Sequence, residues 1–287
     1  NDPLYANHQW NLQMLNLKNV WEKGHTGSHN ITVAVIDTGV YSDHPDLKEN
    51  LLQGKDFIDG DNNPQDDSEN SHGTIVAGII GAVNNNHKGI TGISWDLNIL
   101  PVRVMGETSG TSSDLAAGIK WAVNEGADII NLSLATVAYG KPPQILKEAV
   151  QYAHENGVVL IGAAGNNGRS SVSYPAAYPE VISVGAINRD KEKASYSNYG
   201  PELDFVAPGT KIMSTNSPIM VNGSKQYYTK ASGTSMAAPH LSGIAVLLLN
   251  SGIKPDELKD KLKNTVEDLG PANRDDKFGF GLIDINQ

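Results

Sequence analysis

Ile31-Thr32-Val33-Ala34-Val35-Ile36 leads directly into Asp37-Thr38-Gly39. The first six residues are near-continuously apolar and lack the alternation of a strand with one wet face. Such a run marks a strand buried on both faces, as in a parallel sheet between helices. Four further runs read the same way: Ile99-Leu100-Pro101-Val102-Arg103-Val104, Ile129-Ile130-Asn131-Leu132, Val158-Val159-Leu160-Ile161 and Val181-Ile182-Ser183-Val184. Between them lie helical patterns. Asp114–Asn124 places Leu115, Ile119, Trp121 and Val123 among small residues. Gln144–Asn156 carries Ile145, Leu146, Ala149, Val150 and Ala153 at helical spacing and stops before Gly157, a capping signal. This alternation predicts an α/β fold: a single doubly wound domain over residues 1–287, with a mainly parallel sheet between helices. Asn, Asp, Gly and Pro cluster at 59–71, 84–92 and 214–225, which predicts loops there. Pro255–Val266 reads as a surface helix.

The composition narrows the class of function. The chain has 287 residues, 22 Lys+Arg against 32 Asp+Glu, a net charge of −10, and no Cys. Disulfide scaffolds, cysteine nucleophiles and thiolate metal sites are therefore excluded together. An acidic chain without a basic patch argues against a nucleic-acid partner. The longest apolar stretches, Ile31–Ile36 and Ile244–Leu249, are far short of the ~20 residues that span a bilayer, so no membrane span is expected. The N-terminal Asn1-Asp2-Pro3-Leu4-Tyr5 lacks a basic-then-apolar signal, which fits either a processed mature form or a chain that stays in the cytoplasm.

Polar residues at the ends of the apolar runs carry the chemistry, because ligand groups in such sheets gather at the carboxyl ends of strands. Asp37 ends the first run, His72 opens an apolar helix-like segment, and Ser235 opens the helix running through Leu241–Leu249. Singly, each has an ordinary reading as a turn former, a helix-start residue or an N-cap. Together they supply a hydroxyl nucleophile, an imidazole to take its proton and a carboxylate to orient the imidazole. The α/β-hydrolase order fails, since His240 is the only His after Ser235 and no acid lies between them. Gly162-Ala163-Ala164-Gly165-Asn166-Asn167-Gly168 follows a strand and has two readings. A dinucleotide fingerprint, with Asp190 as the ribose acid, would need a helix where Pro175 and Pro179 fall. Alternatively, Asn166 supplies a side-chain N–H to an oxyanion. The acidic stretch Asp56 to Gln65 offers carboxylates at Asp59 and Asp61 as well, with amides at Asn63 and Gln65. It reads either as a solvated loop or as an oxygen-rich calcium loop.

Asp37-Thr38-Gly39, His72-Gly73-Thr74, Ala163-Ala164-Gly165-Asn166 and Gly233-Thr234-Ser235-Met236-Ala237 resemble, in this order, the signature blocks of the subtilisin family of serine proteases, in its thermitase-like branch. The similarity runs from about Asn1 to Asp284. Ile75 departs from the pattern, where relatives often carry a second His. The resemblance implies a subtilisin-like fold and a serine endopeptidase. In it Asp37 orients His72, His72 is the base, Ser235 is the nucleophile, and Asn166 with the Ser235 N–H binds the oxyanion. It places Ser133, Leu134, Ala135 and Thr136 along one wall of the substrate pocket, Gly165 and Asn167 opposite, and Ser173 at the floor. Ala135 and Thr136 stand where relatives commonly have two glycines, which implies a narrower pocket and medium apolar residues before the cleaved bond.

It further implies calcium as a cofactor. One ion would be held by Asp2, Asp46, the Asn86 side chain and the carbonyls of Val83, Lys88 and Ile90. A second would be held by Asp56, Asp59, Asp61, Asn63 and Gln65. Protein or peptide substrates, a pro-segment in the precursor, secretion and a monomeric state follow from the same resemblance. The alternatives are a dedicated leader-peptide processing protease, whose longer stretch at Ser217–Lys230 would line the leaving-group side, and a catalytically inactive peptide-binding relative.

Overall fold

A computed structural model describes residues 2–107, 109–135 and 142–285. The strands are β1 (Gly27–Asp37), β2 (Lys55–Asp56), β3 (Asp96–Arg103), β4 (Ile129–Leu132), β5 (Val159–Ala163), β6 (Val181–Ile187), β7 (Phe205–Pro208), β8 (Ile212–Val221), β9 (Ser224–Ala231), β10 (Val266–Glu267) and β11 (Leu282–Ile283). Nine form one sheet in the order β10-β11-β7-β6-β5-β4-β1-β3-β2. Only the β10–β11 pair is antiparallel. β8 and β9 form a separate antiparallel hairpin.

The continuous apolar runs are what two-sided burial requires. On β1, Val33 and Val35 face one core cluster while Ala34 and Ile36 face the other. The helices are α1 (Tyr5–His8), α2 (Trp10–Met14), α3 (Leu17–Glu22), α4 (His72–Gly81), α5 (Ser112–Asn124), α6 (Gln144–Glu155), α7 (Thr234–Asn250) and α8 (Leu258–Lys263). α5 and α6 cover the Ala34/Ile36 face, and α4 and α7 cover the other. α7 is buried from Thr234 to Leu247, so it is apolar all round and not amphipathic. No helix among the described residues is long and apolar enough to cross a membrane.

After β1 the chain forms β2 and β3 on one side of it, and β4 then returns to its other side. The crevice between the carboxyl ends of β1 and β4 is thus a topological switch point, where open α/β sheets place their ligand groups. Asp37 ends β1, and Ser133 follows β4.

Three expectations are corrected. Residues 214–225 are mostly strand: β8 and β9 turn at Asn222-Gly223, with an irregularity between Thr215 and Ile219 where Pro218 cannot donate to the ladder. The polar turn residues concealed the pairing. Pro255–Val266 is a 3-10 turn (Pro255–Glu257), then α8, and Val266 belongs to β10. α5 begins at Ser112, because the Thr111 hydroxyl accepts from Asp114 N at 3.0 Å and caps the helix earlier than the apolar spacing indicated. No helix follows β5, as the prolines required, and Asp190 sits in an exposed turn.

His240, wholly buried in α7, has a structural role. Its Nδ1 donates to the Met236 carbonyl (2.7 Å) and its Nε2 accepts from Asn11 Nδ2 (2.8 Å). Burial depresses its pKa to about 4, against a small opposing effect of the Met236 carbonyl. The folded state therefore refuses a proton that the unfolded chain takes up below its ordinary value of 6.5. Stability supplied by the neutral ring should be complete above that value and should decline as the pH falls towards 4, by about 3 kcal/mol in all. Urea unfolding in a Ser235→Ala background should show this decline, and His240→Gln should flatten it. Parallel pH profiles for the two chains would count against it.

Candidate active site

Asp37 is fully buried at the end of β1. Its Oδ1 accepts from Thr38 N (2.8 Å) and from His72 Nδ1 (2.7 Å), while Oδ2 has no partner among the described residues. His72 opens α4, and its side chain keeps 29% of its surface exposed. Burial opposes the charged imidazole, but the Asp37 charge and hydrogen bond, with Asp66 adding to them, outweigh it and raise the His72 pKa. An imidazole so held donates from Nδ1 and presents Nε2 to the cleft.

Ser235 is the second residue of α7, 8% exposed. α7 packs against both α4 and the ends of β4 and β5, which brings the three segments around one crevice. No hydrogen bond links Ser235 Oγ to His72 in this structure. The start of α7 is secured in an unusual way. Pro239 lies inside the helix and cannot donate to the carbonyl four residues earlier, that of Ser235. Ser133 Oγ donates to that carbonyl instead (2.9 Å), and Asn131 Nδ2 donates to Ser133 (2.9 Å). Ser242 Oγ in turn donates to Asn131 Oδ1 (2.9 Å). Ser133, expected in the pocket wall, ties β4 to the turn that carries Ser235.

Asn166 is exposed just beyond β5. Its Oδ1 accepts from Thr234 N (2.7 Å) and Thr234 Oγ1 (3.0 Å), which fixes the amide and leaves Nδ2 facing Gly233 and Ser235. A Cβ at Gly233 would stand 2.8 Å from Ser235 Oγ and 3.4 Å from Asn166 Nδ2, so a side chain there would fill the space the two groups share. The arrangement can hold an anionic oxygen against an amide N–H and the N–H groups that open a helix.

Of the remaining pocket residues, Leu134 is half-buried and Ala135 exposed, while Thr136 lies outside the described residues. Gly165 N donates to Thr234 Oγ1 (3.0 Å). Asn198, missed by the sequence reading, organises the opposite side. Its Oδ1 accepts from Asn167 N (3.0 Å) and Arg169 N (3.1 Å), and its Nδ2 donates to Ala164 O and Ser173 Oγ (both 3.2 Å). No apolar period or charge pattern marks such a residue in advance.

The two loops expected to hold calcium differ. Asp2 and Asp46 are buried carboxylates close to the 83–90 loop, and Asp2 Oδ1 has no hydrogen bond. Asn86 Nδ2 donates to Asp46 Oδ1 (2.9 Å), Ile90 N to Asp46 Oδ2 (3.1 Å) and Asn85 N to Asp2 Oδ2 (2.8 Å). The carbonyls of Val83, Lys88 and Ile90 accept no hydrogen bond among the described residues. Two buried carboxylates with open carbonyls beside them fit a hard cation. In the 56–65 loop, Arg103 occupies the ground expected of an ion. It donates to Asp56 (2.6 Å), Asp59 (2.7 Å) and Asp67 (2.9 Å). Asp61 accepts from Asn63 N (2.8 Å), and the Gln65 amide is turned to Ser42. These residues do not fit a calcium ion in this arrangement, because a guanidinium already pairs with two of the three expected carboxylates, Asp56 and Asp59. Among the described residues no group of three or more His, Asp or Glu side chains is arranged to hold a metal.

Residues 28–281 match the profile of the subtilase family. The chain is 43% identical over 290 residues to halolysin of Haloferax mediterranei, covering 99% of this chain and 53% of that protein. Thermitase of Thermoactinomyces vulgaris is 38% identical over 270 residues, 94% of this chain and 92% of its own length. The fold superposes on a solved protease structure from Pseudoalteromonas arctica PAMC 21717 with a TM-score of 0.86, at 33% identity, over 99% of this chain and 96% of that one. The chain thus spans about half of the halolysin and nearly all of the thermitase.

Proposed function

The chain belongs to the subtilase family, with a subtilisin-like serine endopeptidase fold, and on that premise we propose that it cleaves peptide bonds through Asp37, His72 and Ser235. The observation that carries the reading is the Asp37–His72 hydrogen bond, made from the end of β1 to the start of α4 beside the Asn166–Ser235 crevice. In this mechanism Ser235 Oγ attacks the substrate carbonyl carbon and its proton passes to His72 Nε2. Asp37 holds the ring in the tautomer that accepts there, and stabilises the imidazolium that results. The tetrahedral oxyanion accepts from Asn166 Nδ2 and Ser235 N. On collapse the C–N bond breaks and the leaving amine takes the proton from His72. Water then attacks the acyl-enzyme ester, with His72 again as the base, and Ser235 regains its proton as the acid departs.

Protein or peptide substrates fit a crevice open along the ends of β4 and β5. Ser133, Leu134, Ala135, Gly165, Asn167 and Ser173 bring no charge to pair a substrate Lys or Arg, so a medium apolar residue before the cleaved bond is the proposed preference, since burying an unpaired charge is costly. We place the protein outside the cell, made as a precursor with a pro-segment and acting as a monomer, by the usual pattern of the family. The alternative of a narrow leader-peptide processing protease rests on the β8–β9 hairpin, whose tip exposes Ile219, Met220 and Val221 as an apolar surface a specific substrate could use. An inactive peptide-binding relative is disfavoured, because all four catalytic positions carry competent side chains.

A structural calcium would be held by Asp2, Asp46, Asn86 and the carbonyls of Val83, Lys88 and Ile90, where it would neutralise two buried carboxylates.

Two measurements follow from this reading. Ser235→Ala should abolish hydrolysis of a peptide anilide and labelling by a fluorophosphonate. In the unmodified chain, kcat/KM should rise with pH through a midpoint above 6.5, since the base acts only when deprotonated and its pKa is raised. Near-normal turnover by Ser235→Ala would contradict the mechanism. Calcium at about a hundredfold over its Kd should stabilise the Ser235→Ala chain by about 2.7 kcal/mol. Adding Asp46→Asn should remove most of that response, whereas adding Asp61→Asn should leave it. Equal melting temperatures of the Ser235→Ala chain with excess EDTA and with millimolar calcium would exclude the ion.

A further inference from the structure

Beside the Asp37–His72 pair lies a second buried carboxylate that the triad does not use. Asp66 is 3% exposed and pairs with no Lys or Arg among the described residues. Its oxygens accept four hydrogen bonds. Oδ1 receives Thr38 Oγ1 (3.1 Å) and Ser68 Oγ (2.6 Å), and Oδ2 receives Thr74 N (2.9 Å) and Thr74 Oγ1 (2.7 Å). Thr38 Oγ1 also accepts from Gly73 N (2.9 Å), so its own proton is free to go to Asp66. Burial raises the Asp66 pKa above the usual carboxylate value, with the Asp37 charge acting the same way, while the hydrogen bonds from Ser68 and Thr74 oppose that shift and favour the ionised form.

Three of the four bonds fall on the two segments that carry the catalytic pair, and the fourth is the local one from Ser68. Thr38 follows Asp37 and donates its N–H to that carboxylate, while Gly73 and Thr74 follow His72. The segments touch closely: a Cβ at Gly73 would stand 2.1 Å from Gly39 O and 3.1 Å from Asp37 Cβ. Thr74 Oγ1 accepts from Tyr41 N as well (3.0 Å), and Ser217 Oγ of the hairpin donates to the Asp66 carbonyl (3.0 Å). A buried carboxylate without a cation carries a large desolvation penalty unless its hydrogen bonds offset it. A neutral side chain would fill this site with less penalty.

We propose that Asp66 is a positioning residue of the catalytic apparatus. Its carboxylate clamps Thr38 and Thr74, fixes the separation of Asp37 and His72, and sets a second negative charge near the imidazole. Asp66 acts on His72 in the same direction as Asp37, favouring the charged ring. The charged groups facing His72 are Asp37 from β1 and Asp66 from the segment before α4. The strand β8, which packs on α4 through Ser214 Oγ to Ile75 O and Thr215 Oγ1 to Thr74 O (both 2.6 Å), brings no charge there, and α7 brings Ser235.

This inference rests on the serine-peptidase reading, and the controls separate the two. If the unmodified chain neither turns over a peptide anilide nor takes a fluorophosphonate, that reading has failed. If it does both and Asp66→Asn behaves identically, only the clamp has failed. The experiment is steady-state hydrolysis of the anilide across pH by the unmodified chain, Asp66→Asn and Thr38→Val. Asp66→Asn should lower kcat about tenfold or more with KM within about twofold, and should move the midpoint of the rising limb down by about half a pH unit. Thr38→Val keeps the Asp66 charge but cuts one arm of the clamp, so it should lower kcat and leave the midpoint in place. A purely structural Asp66 would lower the melting temperature while kcat per folded, fluorophosphonate-titrated molecule and the midpoint stay as in the unmodified chain, and that result would overturn the proposal. Should Asp66→Asn fail to fold, a Thr38→Val enzyme with unchanged kcat would overturn it equally.

Discussion

The Asp37 carboxylate sits at the end of β1, an interior strand of the sheet, with no access to water, and two hydrogen bonds to one of its oxygens, from Thr38 and His72, are what hold it there. A carboxylate in that position is tolerable only if donors are fixed around it, because desolvation otherwise neutralises the group. The rest of the crevice answers that requirement. β1 must be central so that its end is enclosed. α4 must begin at His72 so that the ring reaches Asp37. The 64–66 segment must pass beside Gly39 to bring further acceptors and donors into place. The sheet order supplies the enclosure, since β1 is flanked by β3 and β4, with β2 beyond the one and β5 beyond the other.

A second tier of buried polar side chains turns that enclosure into defined geometry. Ser133 replaces the donor that Pro239 cannot offer, so the turn holding Ser235 has its carbonyl satisfied from β4. Asn198 uses all of its hydrogen-bonding capacity on residues 164 to 173. Thr234 fixes Asn166, and Asp66 fixes Thr38 and Thr74. None of these side chains needs to touch substrate. Each holds a backbone turn at the crevice in place, which is the way a site made of loops acquires the precision of a rigid element.

The sequence made the sheet legible because burial on both faces leaves uninterrupted apolar runs, and β1, β3, β4, β5 and β6 all carry them. Asp37, His72, Asn166 and Ser235 were legible because each ends such a run or opens a helix in a recognisable block. The hairpin was not: β8 and β9 are partly exposed, contain Pro218 and turn at Asn222-Gly223, so they carry loop chemistry and no apolar run. Arg103 was hidden for a different reason. It lies in a buried strand whose apolar neighbours identify the strand, while its partners Asp56, Asp59 and Asp67 are more than thirty residues away in sequence. Spacing within the acidic loop therefore suggested an ion where the fold supplies a guanidinium. Asn198 was illegible because its role consists of hydrogen bonds to residues far away in sequence, and Asp66 because its role depends on which turns the fold brings around it.

The central claim is that the buried Asp37 charge holds His72 in one tautomer and keeps it basic. Nitrogen-15 NMR of the imidazole in the Ser235→Ala chain, followed across pH, tests this directly. The account requires a proton on Nδ1 throughout the titration, with a midpoint above 6.5 that drops when Asp37→Asn is added. A neutral ring protonated on Nε2, or a midpoint at or below 6.5 that ignores Asp37→Asn, would contradict it.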